Sequence, residues 1–595
     1  MNDTVSRAAS PCAHQLYEIR TGLKQLRAGL LALILDHVRS QHASSLRHNA
    51  PADLCLVGGQ IADVRSGTLR RAAVAITGPW ITAVGSDEDL RSNARQVTDV
   101  RGQIITPGYI EPHTHVILTN PIEFARAVLP HGTTTAVVDA LPLMTLARPD
   151  RLAGVLERLA ALPMKLRWLI RLHPQSFSDD ERFSLETLRP LWRLPSAAAV
   201  GEVTRWRDVY DGAPDLIEKI RAAKEDGKRV EGHAAGASFE RLAVLADRGF
   251  TSCHEAMTAE EVTHRLRAGL AAMLRHSSIR PDLPRLAAAV TPDLVFSPQL
   301  MLTADGPTPV FIAEHGYMDH LIEIAIRSGI PPMAALRMAT LNPAVYYGNE
   351  ATGEIAVGRR ADLNVLRDLS APRPTLVIAD GRIVAQDGTL SIPMPAFSWE
   401  GVFEPVHLPQ LATEVFETPP TQAVGCRLVS DVITEPIAGD AVPADAFQVA
   451  LIDRRGRWMT RCYISGFADR LGGLATTVTS AFDLLVIGRR PEDMAHAARR
   501  VAELGGGLVV VDSGIEVFEL RLDLGGVFSS RSWAEVVEDN HRFNLLMQSR
   551  GYRFTDPIFT LLFLTFDSLP WVRLTSRGVW DVRHRRILAP ATPLS

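Results

Sequence analysis

Several kinds of marker are missing from this chain, and each absence removes a class of protein. Its five cysteines, Cys12, Cys55, Cys253, Cys426 and Cys462, are scattered, odd in number and never spaced C-x-x-C. That spacing argues against a disulfide framework or a zinc knuckle and fits a reducing cytoplasm. Residues 1–50 hold no uninterrupted apolar span long enough for a membrane, and the Leu-rich stretch at 29–35 is too short and too far in for a signal peptide. A soluble, cytoplasmic protein is expected. Basic charge is not in excess: 63 Lys and Arg against 67 Asp and Glu give a formal net charge of −4, with both signs mixed along the chain. The broad positive field of a nucleic-acid binder is therefore absent, and small-molecule chemistry is favoured. Gly505-Gly506-Gly507 is followed by no Gly-Lys-Ser/Thr and precedes Leu-Val-Val-Val, so it reads as a turn feeding a strand and not as a phosphate loop.

What is present is enough apolar residue, 46% over 595 positions, for several domains with substantial cores. Residues 1–50 space Leu16, Ile19, Leu23, Leu26 and Leu30 at helical intervals, which predicts a helical extension packed on its own protein or on a neighbouring subunit. Short β-rich runs at 54–57, 72–76, 80–84 and 103–105, and again at 361–366 and 376–384, predict one small β-sandwich-like domain built from 51–106 and 346–391. The Pro-rich stretch 392–429 reads as a linker crossing near the active-site mouth. Residues 430–595 read as a separate C-terminal α/β domain, with strands at 447–452, 484–487 and 508–511 and helices between them.

From 107 to 345, apolar runs alternate with helical segments, the pattern of a (β/α)8 barrel. Chemistry in such a barrel sits at the carboxyl ends of the strands, so the polar residue ending each run can be collected. The first run, Pro-Gly-Tyr-Ile-Glu-Pro-His-Thr-His, ends in His113 and His115, which point to one side of a strand. The next runs end in Asp139, His173, Gly201-Glu202, Gly232-His233 and His254-Glu255, and the last, 300–304, ends in Asp305. Imidazoles and carboxylates at successive strand ends are what a two-metal hydrolytic site needs. Each residue also has a plainer reading: Glu202 could pair with Arg205 or Arg207 at the surface, His233 could be a loop residue, and Asp305 before Gly306-Pro307 could make a turn.

From about residue 52 onward the chain resembles the bacterial adenine deaminases of the amidohydrolase superfamily. The resemblance rests on 107–115, 123–135 (Glu-Phe-Ala-Arg-Ala-Val-Leu-Pro-His-Gly-Thr-Thr-Thr), Gly201-Glu202, Gly232-His233-Ala234, His254-Glu255 and 338–344 (Met-Ala-Thr-Leu-Asn-Pro-Ala). In the C-terminal part it rests on Ile464-Ser465-Gly466-Phe467, Glu492-Asp493-Met494-Ala495 and 502–512. It implies a barrel that hydrolyses the exocyclic amine of adenine, with His113, His115, Glu202, His233, His254 and Asp305 as metal ligands. It also implies two divalent transition-metal ions, manganese or iron with zinc as the alternative, and a homo-oligomer, a dimer, with neither nucleic acid nor membrane as partner. Asp305 is then the expected proton acceptor from water, and Glu255 the expected proton donor to ring or leaving nitrogen.

The departures from the family pattern cluster around the pocket. Val116-Ile117-Leu118-Thr119 replaces Ile-Glu-Ser-Ser, Asp139-Ala140-Leu141-Pro142 replaces Asp-Pro-His-Glu, and Val203-Thr204-Arg205 replaces Met-Met-Asn. Ala304-Asp305-Gly306 keeps one of two aspartates, and Ser480-Ala481-Phe482-Asp483 replaces His-Asp-Ser-His. Ile117, Leu118, Leu141, Arg205 and Phe482 are thus the expected substrate contacts, on a surface suited to a more apolar ligand than adenine. Two other readings stay open: an amidohydrolase cleaving an amide or lactam of an apolar compound, and a non-catalytic relative that keeps the fold.

Overall fold

The computed structural model describes residues 51–177, 181–417, 420, 424–437 and 441–594; the helix expected within 1–50 lies outside them. At its centre eight parallel strands form one sheet: Tyr109–Thr114, Thr133–Asp139, Lys165–Ile170, Ala197–Val203, Arg229–Gly232, Ser252–Cys253, Ala271–Arg275 and Leu300–Thr303, here called strands one to eight. Nearly every residue of these strands is buried, as expected where helices cover the outside of a parallel sheet.

The sheet curls until its ends meet. Thr114 and Asp305 form a parallel bridge, His115 N donates to Asp305 O at 3.0 Å, and Thr114 Oγ1 donates to the same carbonyl at 2.6 Å. Glu111 secures the seam from inside, accepting from His113 N, Thr303 Oγ1 and Ala304 N at 2.7–2.9 Å. The Glu of the opening motif therefore joins strands one and eight, and burial pushes its carboxyl up to about 7. Strand seven, Ala271–Arg275, completes the barrel where the sequence reading passed from the sixth run directly to the last.

Outside the barrel, helix Pro149–Ala160 turns Leu152, Val155, Leu156 and Leu159 inward at helical spacing against strand three, where buried Trp168 donates to Leu156 O at 2.9 Å. Burial of side chains of this size is worth about 1.5–3 kcal/mol each.

The small β-domain consists of two sheets. One pairs Trp80–Gly85, Ala73–Thr77, Ala52–Val57 and Ala94–Asp99; the other runs from Thr389–Leu390 through Leu363–Leu366 and Ile104–Pro107 to Thr68–Arg71. Leu54, Val74 and Ile76 of the first share a core with Ile105, Leu363 and Ile378 of the second. Both chain segments are needed to fill it.

The C-terminal part is a nine-stranded, largely antiparallel sheet. Between the expected strands at 447–452 and 484–487 lie two further strands, Trp458–Ser465 and Gly473–Thr476, and no helix; helix Pro491–Leu504 does precede strand Gly507–Asp512. This part is not separate from the barrel. Its Phe528–Ser529 pairs in parallel with Leu118–Thr119, just past strand one, and Leu118 is buried in the C-terminal core. The Pro-rich segment is also no free linker: Met394 and Val402 pack into the barrel core, and Leu408, Leu411 and Phe416 into the C-terminal one. None of its described residues lines the cavity at the carboxyl ends of the barrel strands.

Candidate metal centre

The carboxyl ends of the strands converge on one buried cluster. His113 Nε2 lies 3.2 Å from His115 Nε2 and 3.5 Å from Asp305 Oδ1, and its ring stacks on His254 with centroids 4.2 Å apart. His254 Nε2 is 3.3 Å from Glu202 Oε1, to which His233 Nδ1 also bonds. Three overlapping groups can each surround an ion: His113, His115 and Glu202; His113, His254 and Asp305; Glu202, His233 and His254. The structure thus brings all six sequence-nominated ligands together, and Glu202 is buried in the cluster rather than paired with Arg205 or Arg207.

Local backbone geometry sets these positions. Gly201 has φ +118°, and a Cβ there would come within 2.3 Å of Glu231 O, so glycine alone lets strand four approach strand five before Glu202. At Gly232 an added Cβ would meet the Phe250 ring at 2.1 Å, which keeps the residue before His233 a glycine. Asp305 has φ +57°, unusual for a non-glycine residue. The two bonds its carbonyl accepts from strand one hold it there, with its carboxylate turned to the histidines.

The donor set fits a divalent metal. Glu231 Oε1 lies 3.1 Å from His113 Nδ1 and 3.0 Å from His254 Nδ1, and Asp139 Oδ2 lies 3.1 Å from His115 Nδ1. A carboxylate behind Nδ1 fixes the tautomer that leaves the Nε2 lone pair facing inward. His254 Nε2 has no well-directed hydrogen bond but lies 3.3 Å from Glu202 Oε1 and 3.4 Å from Glu255 Oε1, a buried set of donor atoms that an ion among them would satisfy. Burial works against charge on His115 and His254, but the facing carboxylates outweigh it and push these rings up to about 9 and about 10. Metal and proton therefore compete for the same nitrogens.

Sequence reading missed two buried arginines. Arg171, directly after strand three, donates from Nε and Nη2 to Asp139, from Nη2 to Glu202 Oε2 at 2.6 Å and from Nη1 to Glu202 O at 2.7 Å. Arg275, ending strand seven, bonds Glu255 and lies 3.0 Å from Asp305 Oδ2. Burial opposes ionisation of Glu255 and Asp305, but Arg275 and the histidines hold both well below the usual carboxylate range. Apolar runs ending in Arg are visible in the sequence at both places, but a search for metal ligands passes over cations. His173, read as the end of strand three, is buried away from the cluster with Nδ1 on Pro174 O at 2.8 Å.

Above the cluster lies a cavity of about 170 Å³. Of the expected substrate contacts, Ile117, Leu118, Leu141 and Phe482 line it. Arg205 does not: it is paired with Asp567 at 2.8 Å and stacked over Phe177, facing a neighbouring cleft. The rest of the roof comes from the C-terminal domain, chiefly helix Pro557–Phe563 and the turn after it, with Phe559, Leu562, Phe563 and Phe566 above the His and carboxylate cluster. Phe566 packs directly on His233, ring centroids 5.7 Å apart.

Comparison with known proteins agrees with this geometry. Residues 104–384 match the amidohydrolase family and residues 429–586 the adenine deaminase C-terminal domain. An "Adenine deaminase" of Cereibacter sphaeroides is 34% identical over 564 residues, spanning 90% of this chain and 97% of that protein. A "Putative adenine deaminase" of Halalkalibacterium halodurans is 34% identical across 87% of this chain and 93% of its own length. "Putative adenine deaminase YerA" of Bacillus subtilis is 32% identical across 86% and 90%.

Proposed function

Because the chain belongs to the adenine deaminase family of amidohydrolases, we propose that it is a metal-dependent hydrolase of a C–N bond, releasing the exocyclic amine of adenine or a related aminated heterocycle as ammonia. The observation that carries this reading is the convergence of His113, His115, Glu202, His233, His254 and Asp305 from strands one, four, five, six and eight on overlapping ligand groups. Those groups would hold two ions, with manganese or iron favoured by the family resemblance and zinc as the alternative.

These residues would hold a divalent ion, which would supply a more acidic water and polarise the electrophilic carbon. Asp305 is held ionised with Oδ2 on Arg275 and Oδ1 facing both strand-one histidines, so it is poised to accept the proton of the attacking water. Glu255 is likewise ionised, and its Oε1 lies 3.4 Å from His254 Nε2. In that state it is an acceptor first; it can deliver a proton to ring or leaving nitrogen only after taking one up. Water and the amidine carbon then yield a carbonyl and ammonia, with both protons passing through these two carboxylates. Ammonia release by metal-loaded protein from adenine and a panel of aminopurines tests the reading; no ammonia from any aminated base refutes it.

A further inference from the structure

The two sides of the cavity differ in what they can offer a ligand, and the difference narrows the substrate class. On the barrel side, buried Gln175 lines the cavity and its Nε2 has no hydrogen-bond partner, so a donor stands ready for an acceptor on the ligand. On the roof, the two hydroxyls that line the cavity have spent their protons inside the C-terminal domain. Thr479 Oγ1 donates to Asp483 O at 2.9 Å. Thr565 Oγ1 donates to Leu562 O at 3.2 Å, which leaves the Ser480 proton to make the 2.9 Å bond between Ser480 Oγ and Thr565 Oγ1. Backbone donors nearby are also engaged: Ser480 N on Leu562 O, Ala481 N on Thr565 Oγ1 and Phe482 N on Thr479 O, all at 3.1–3.2 Å. The remaining roof surface is apolar, with Val478, Leu562 and five phenylalanines in it, of which Phe563 stands 5.4 Å from Phe559 and 5.8 Å from Phe566, centroid to centroid.

We infer that the substrate is an aminated heteroaromatic whose amidine end is polar and whose remote edge is apolar, a benzo-fused or alkyl-substituted pyrimidine in preference to a purine. The inference rests on the deaminase reading above, because the reacting C–N carbon must lie at the metal ligands and so turns the other end of the ring to the roof. The five-membered ring of adenine carries one acceptor and one donor nitrogen. Lone pairs of Thr479 and Ser480 remain for a donor, but the roof has no proton to give an acceptor, and a buried acceptor without a partner lowers affinity by about tenfold or more. Apolar carbons at the same place lose nothing and pack on the phenylalanines.

The test compares adenine with 4-aminoquinazoline, which has the same reacting amidine and carbon atoms where adenine has its imidazole nitrogens. Metal-loaded wild-type protein is expected to release ammonia from 4-aminoquinazoline with kcat/KM at least about tenfold above that for adenine; equal values, or a preference for adenine, overturn the inference and leave the deaminase reading standing. A second arm needs no turnover: calorimetric binding of quinazoline and purine, neither of which has an amine to lose. Tighter binding of quinazoline by about tenfold supports the apolar edge even if neither amine is hydrolysed, in which case the reaction reading alone fails; equal or tighter binding of purine overturns it.

Discussion

On the floor of the cavity every titratable side chain is held by another: Glu231 behind two histidines, Asp139 behind a third, Arg171 and Arg275 across the carboxylates. On the roof the corresponding surface is mainly phenylalanine, leucine and valine, and its two hydroxyls are bonded within the C-terminal domain. The contrast separates two tasks. Metal chemistry tolerates little change in ligand geometry, and the six residues that the family resemblance nominates as ligands are all present on the floor. Substrate choice depends on what surrounds the ligand beyond the metal, and there the chain departs from the family pattern, beside the ligands at Val116-Ile117-Leu118-Thr119, Asp139-Ala140-Leu141-Pro142 and Ala304-Asp305-Gly306 and on the roof at Ser480-Ala481-Phe482-Asp483. The six ligands then state the reaction class and their surroundings the specificity.

The sharpest break between the two regions comes from Asp305→Asn. It removes the carboxylate proposed as proton acceptor and as a metal ligand while keeping the side chain's shape, so turnover should fall by at least about 10³-fold, with an unchanged circular dichroism spectrum showing that the fold is kept. Glu231→Gln should act on metal rather than on chemistry. Losing the shared acceptor behind His113 and His254 is expected to weaken metal binding about 10- to 100-fold, measured by chelator competition. On the roof, Phe563→Ala should leave metal content at the wild-type value and raise KM about tenfold; a fall in metal content would show that roof and floor are not separable.

The smallest expected effect is one of pH. Buried Asp556 caps the roof helix by accepting from Ile558 N at 3.0 Å, and burial together with the charge of Asp431 pushes its carboxyl up to about 7. A carboxyl raised in the folded state contributes stability that is fully present below its unfolded pKa of about 4 and is lost as pH rises through about 7. Hydrogen exchange across residues 557–563 should therefore show more frequent opening at pH 8 than at pH 5, after correction for intrinsic exchange rates, while the barrel strands stay unchanged; equal protection at both pH values would contradict this.

Much of the floor was legible because barrel chemistry sits at strand ends and short apolar runs ending in His, Glu or Asp stand out. What escaped was of two kinds. Strand seven, Ala271-Ala-Met-Leu-Arg, ends in a cation, so a search for ligands skipped both the strand and Arg275. Glu231 sits one residue before a glycine inside a strand, and its role follows from two histidines on other strands, a relation that no local pattern contains. The roof was harder still. Phe482 was nominated from a broken motif, but Phe559, Phe563 and Phe566 lie more than 400 residues from His115 and read in isolation as ordinary core. Arg205, nominated by its position after Glu202, is taken by Asp567, a partner 362 residues away.

Whether the strand-end cluster is a metal site of hydrolytic type is tested by elemental analysis of the purified protein. Close to two equivalents of a divalent transition metal per chain are expected, falling well below one in a His113→Ala, His115→Ala double variant that remains folded. Wild-type protein that binds no transition metal, even after incubation with manganese or iron, would contradict the metal-site assignment.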